Sequence, residues 1–188
     1  MQKAAISTLC VAEKRRICYR MGNTVTNSMI ESPTDEIAPP QIKLGGLSLW
    51  VFGRQFPHLS DYWDGNWLMV KVRVTDSGAI VETSGPIIHG SELASFEREL
   101  AEIERTLVGK AHLSCMEPEL DVVLACGSLG QVQMVISITP NHITQSHTFT
   151  IALDQTYLKP ALNAVRQILL DYPLKGAPDD TDTELDIV

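Results

Sequence analysis

The stretch Leu49 to Val74 reads LWVFGRQFPHLSDYWDGNWLMVKVRV. It holds two alternating strands around one long loop. Leu47, Leu49, Val51 and Gly53 share one face of the first strand. On the second, Leu68, Val70, Val72 and Val74 share a face, with Met69, Lys71 and Arg73 opposite. A period of two with one apolar face marks half-buried strands. The 12-residue loop between them, Arg54 to Gly65, carries Asp61, Tyr62, Trp63 and Asp64 and runs into Asn66 and Trp67. Loops of this length are uncommon in compact domains and are often functional.

Outward from this pair the same alternation continues. Asp76-Ser77-Gly78 is a turn, and Ala79 to Thr83 returns as the second arm of a hairpin. Leu113 and Cys115 precede a turn at Glu117-Pro118-Glu119, followed by Leu120, Val122, Leu124 and Cys126 on one face. A second turn, Gly127 to Gly130, leads into Val132, Met134, Ile136 and Ile138, closed by Thr139-Pro140-Asn141. The last strand points Phe149, Ile151 and Leu153 inward and Thr148 and Thr150 outward.

Two helices interrupt the strands. In the first, Leu93, Phe96, Leu100, Ile103 and Leu107 form an amphipathic stripe; Ser91 is the expected N-cap, Glu92 lies in the first turn and Gly109 is the expected stop. Its opposite face, from Glu97 to Arg105, is charged and expected to be solvated. The second begins near Asp154, accommodates Pro160 in or near its first turn and ends before Pro173. Leu158, Leu162, Val165 and Leu169 make its buried stripe, beside Ala161 and Ile168. Runs of strands joined by tight turns predict an α+β fold: a curved antiparallel sheet of about seven strands with two amphipathic helices packed on one face. No internal repeat of useful length is visible.

The 188 residues suffice for one sizeable core. The domain is expected to span 41–173, between an N-terminal extension and linker (1–40) and an acidic tail (174–188), both expected to be disordered. The net charge of −8 is uneven: residues 1–20 carry +4, 21–39 carry −3, 40–174 carry −5, and the tail from Lys175 carries −4. An acidic body attracts basic partners and disfavours phosphate backbones. Basic residues in the domain never interleave with aromatics, so no nucleic-acid partner is expected. Nor is a membrane partner, because the apolar runs are only strand-length. The apolar run near the start is short, contains Ser and Thr, and is followed at once by EKRR, which argues against a cleaved signal. The start itself is open among Met1, Met21 and Met29. Cys10, Cys18, Cys115 and Cys126 form no close pairs, so neither a zinc site nor a disulfide is expected, and a reducing, cytoplasmic setting fits.

No nucleophile elbow, phosphate-binding loop or dinucleotide fingerprint occurs. Asp61 and Asp64, with Glu117 or Glu119, could serve a carboxylate-dependent hydrolase or nuclease. The simpler reading makes Asp61 a turn cap and Asp64-Gly65 a turn dipeptide. A small-ligand pocket inside the curved sheet is a second alternative. His142 and His147 lack a third ligand for a metal. Tyr62 and Trp63 are balanced between packing and partner contact, and Trp67 is expected to pack under the loop. No catalytic residue, metal or cofactor is expected.

The segments LWVFGRQFPHLSDYWDGNWL, LSCMEPEL and FTIALDQTYL together resemble the WapI-type immunity proteins of bacterial polymorphic toxin systems, over roughly Lys43 to Pro173. The most distinctive match is DYWDGNWL. The resemblance implies a non-enzymatic cytoplasmic protein that binds and neutralises the C-terminal domain of a large secreted toxin. It supplies no catalytic motif and no contact residues. Toxins that act on nucleic acid are usually basic, so an acidic inhibitor suits them as partner. On that ground Asp61, Tyr62, Trp63 and Asp64 are the candidate residues for contact with a basic toxin domain.

Overall fold

A computed structural model of the chain describes residues 38–178. The expectations placed on the N-terminal extension, including Cys10, Cys18, Met21 and Met29, and on residues 179–188 lie outside the described residues.

The fold of the described residues is α+β, with two antiparallel four-stranded sheets that do not close and two helices among them. The first sheet is a meander of β1 (Ile42–Leu44), β2 (Leu47–Arg54), β3 (Trp67–Asp76) and β4 (Ala79–His89), followed by α1 (Gly90–Thr106). A second meander, β5 (Gly109–Ser114), β6 (Leu120–Cys126), β7 (Gln131–Ile138) and β8 (His147–Asp154), is followed by a 3-10 turn and α2 (Leu158–Asp171). The element order of the first half is therefore repeated in the second, although the residues show no repeat. About seven strands in one curved sheet become eight in two sheets. Alternation fixes which residues face inward, but not which strands share hydrogen bonds across α1.

The inward faces follow the sequence reading. Leu68, Val70, Val72 and Val74 are buried on β3, and Leu120, Val122, Leu124 and Cys126 on β6. With Leu93, Phe96, Leu100 and Ile103 of α1 and Leu158, Ala161, Leu162, Val165 and Ile168 of α2 they belong to one continuous core. Each such Leu, Ile or Val contributes about 1.5–3 kcal/mol through removal of apolar surface from water. Cys115 lies just beyond β5, not within a strand; burial pushes its thiol well above the ordinary range, so it makes no thiolate nucleophile.

Two local expectations are corrected. Ser91 is not the N-cap of α1: His89 occupies that position, and Glu92 accepts from its backbone N–H at 2.8 Å. Nor does Gly109 stop the helix; Leu107 takes the left-handed turn at φ 56°, and Gly109 opens β5. β4 also runs six residues past Thr83, through Gly85-Pro86 to His89. It is an edge strand, where the missing proline N–H is tolerated, and the register shifts between Leu68 and Met69, which pairs with Pro86.

The charged face of α1 is only partly solvated. Glu97 pairs with Arg166 of α2 at 2.6 Å, and Glu99 accepts from the His112 N–H of β5 at 2.7 Å. These contacts tie the helix to both neighbours.

Candidate functional site

The loop from Gln55 to Asn66 is built on a frame of buried polar groups. Asp61 Oδ1 accepts from the Asp64 N–H at 2.7 Å, which closes the turn leading into the short 3-10 segment Asp64–Asn66. That carboxylate is engaged in holding the loop's shape, as the simpler sequence reading had it. Asp61, Trp63 and Asp64 are exposed and Tyr62 is half-buried. The four candidate residues therefore lie together on one outward-facing segment.

Beneath them is His89, fully buried at the end of β4. Its Nε2 lies 3.0 Å from the Tyr62 carbonyl and 3.2 Å from that of Trp63. Its Nδ1 lies 2.7 Å from Ser91 Oγ and accepts weakly from the Ser91 N–H at 3.4 Å. Carbonyls only accept, so Nε2 carries a hydrogen and donates to the loop backbone. Three rings surround the imidazole: Tyr62 and Trp67, each with centroid 5.3 Å away, and Trp63 at 6.0 Å. Tyr62 and Trp63 meet edge to face at 5.2 Å. Trp67 is half-buried and packs edge to face on His89, its cross-strand neighbour, while Trp63 keeps half its surface exposed (50%).

Asn66, wholly buried, is the second anchor. Its Nδ2 donates to the carbonyls of Tyr62 (2.7 Å) and Lys175 (2.8 Å). Its Oδ1 accepts from Arg54 Nη1 (3.0 Å) and the Lys175 N–H (2.9 Å). All four hydrogen-bonding positions of the amide are used, as burial requires. Arg54 also donates to the carbonyls of Gly65 (2.7 Å) and Pro173. Burial pulls its guanidinium below the ordinary value, partly offset by Tyr172.

Sequence reading missed His89, Asn66, Arg54 and Lys175. The one available signal was Glu92, three residues beyond His89 in the spacing of a capping box. Histidine is not a usual capping residue, so the pattern pointed to Ser91 instead. For Asn66 and Lys175, 109 residues apart, no local pattern exists.

The loop's outer surface combines charge with apolar area. Phe56 (42% exposed) and Leu59 (41%) are exposed on the same loop as Trp63, Asp61 and Asp64. Aromatic anchors bordered by charge are the composition of protein-binding surfaces. No group of three or more His, Cys, Asp or Glu able to hold a metal ion occurs among the described residues, so Asp61 and Asp64 are not assembled with Glu117 or Glu119 into such a group. The sheets enclose packed side chains, and a groove of about 800 Å³ opens on the outer face of the second sheet, lined in part by Lys110, Ala125, Gln133 and Ala152. No helix among the described residues is long and apolar enough to cross a membrane.

Residues 41–173 match the model of the immunity protein WapI-like family, and the chain belongs to that family. Membership suggests a bacterial immunity protein with a non-enzymatic role and implies a toxin as binding partner. The match takes in both sheets, both helices and the whole loop. No curated protein and no solved structure matches the chain.

Proposed function

We propose that this protein is a cytoplasmic immunity protein that binds the C-terminal domain of a polymorphic toxin and neutralises it without chemistry of its own. Membership of the WapI-like family is the observation that carries this reading. The contact surface is the loop, with Tyr62 and Trp63 as aromatic anchors and Asp61 and Asp64 as the charges that meet a basic toxin face. Two features of the loop support it. The His89 and Asn66 network holds the loop backbone from below, which lowers the entropy lost on binding. The acidic body, −5 over residues 40–174, favours rapid encounter with a basic partner.

The carboxylate-hydrolase alternative gains no support from the loop, where Asp61 is turned onto the Asp64 N–H. Co-purification with the toxin domain encoded next to its gene tests the proposal. A stable complex that weakens as salt rises is expected. Absence of any complex at low salt overturns it.

A further inference from the structure

We infer that the segment after α2, Pro173 to Gly176, is a latch that sets the shape of the Gln55–Asn66 loop from the far end of the chain. Both backbone groups of Lys175 are taken by Asn66, at 2.9 and 2.8 Å. Its ammonium reaches the opposite side of the loop and donates to the carbonyls of Pro57 (2.9 Å) and Leu59 (2.6 Å). Arg54 holds the Pro173 carbonyl. Gly176, at φ 64°, passes so close that a Cβ there would lie 2.7 Å from the Tyr62 backbone nitrogen. A side chain is excluded on two counts, conformation and space. Gly90 makes a matching close approach, its own Cβ position 2.8 Å from Leu174.

The loop contributes backbone carbonyls that have no strand or helix partner: those of Pro57, Leu59, Tyr62 and Gly65. Lys175, Asn66 and Arg54 satisfy all four. An ammonium bridging two carbonyls of one loop fixes its curvature in a way that apolar packing does not. The segment thus serves as a positioning element for the candidate surface, and its displacement remodels that surface while leaving both sheets in place. This inference goes beyond toxin binding and stands or falls without any partner.

Hydrogen exchange on the full chain and on Gly176→Val and Lys175→Met variants tests it, with the β3 amides of Leu68 to Val74 as the internal reference. Loss of one or two of these hydrogen bonds is expected to speed exchange across the loop by about tenfold or more, with β3 unchanged. Lys175→Met, the milder change, should act chiefly near Leu59. An unchanged loop in both variants overturns the inference, whether or not the Lys175 amide itself opens. Equal acceleration in loop and β3 also overturns it, because the segment would then add only to global stability.

Discussion

Asn66 binds the backbone of Lys175 as one strand binds another, accepting from its N–H at 2.9 Å and donating to its carbonyl at 2.8 Å. The two residues are separated by almost the whole domain, and their pairing joins the β2–β3 loop to the end of the fold. The arrangement explains why a loop without extended secondary structure has a defined form.

Replacing Asn66 by Ala removes four hydrogen bonds and leaves both backbone groups of Lys175 short of partners, while the Tyr62 carbonyl keeps only His89. A loss of about 2–4 kcal/mol in unfolding free energy is expected. Urea denaturation measures it, and a change below about 1 kcal/mol would mean that water replaces the amide without cost.

Trp63→Ala separates folding from binding. Half of that side chain is exposed, so the fold should lose about 1 kcal/mol or less. If the indole is an anchor for the toxin, affinity should fall by about 2 kcal/mol or more, roughly thirtyfold. Titration calorimetry and thermal melting, run on the same preparation, distinguish the two effects. Unchanged affinity removes Trp63 from the interface.

Glu92 gives the protein a pH signature. Desolvation raises its pKa, opposed by hydrogen bonds from the N–H groups of His89 and Met116. With the folded value above the unfolded one, the native state binds the extra proton. This contribution to stability is therefore complete below the ordinary glutamate value and is lost as pH rises through the raised folded value. Glu92→Gln should abolish that slope. The glutamine oxygen cannot replace both carboxylate oxygens, which accept at 2.8 and 2.6 Å, so the variant should also be less stable near neutrality. Melting temperatures across the acidic range provide the check. Parallel profiles for the two proteins would contradict it.

Much of this fold is legible in the sequence wherever burial is periodic. Leu68 to Val74, Val132 to Ile138 and the stripe of α1 all lie inward as their spacing predicts. β1 is not legible as a strand, because Ile42–Leu44 is only three residues long and lies between Pro39-Pro40 and Gly45-Gly46. Gly46 is crowded, its Cβ position 2.3 Å from the Thr75 carbonyl, a constraint set by the neighbouring strand. The candidate site divides in the same way. Its outer residues, Asp61 to Asp64, stand out as an unusual loop composition. Its supports do not, because His89, Asn66 and Lys175 act through backbone groups that are distant in sequence or unrelated to hydrophobic pattern.

Growth rescue is the most direct test of the immunity reading. Cells expressing the toxin domain encoded next to this gene should survive when the intact chain is co-expressed. They should die when it carries Trp63→Ala together with Asp64→Lys, provided that the variant remains folded. Death of cells carrying the intact chain at full expression would contradict the account.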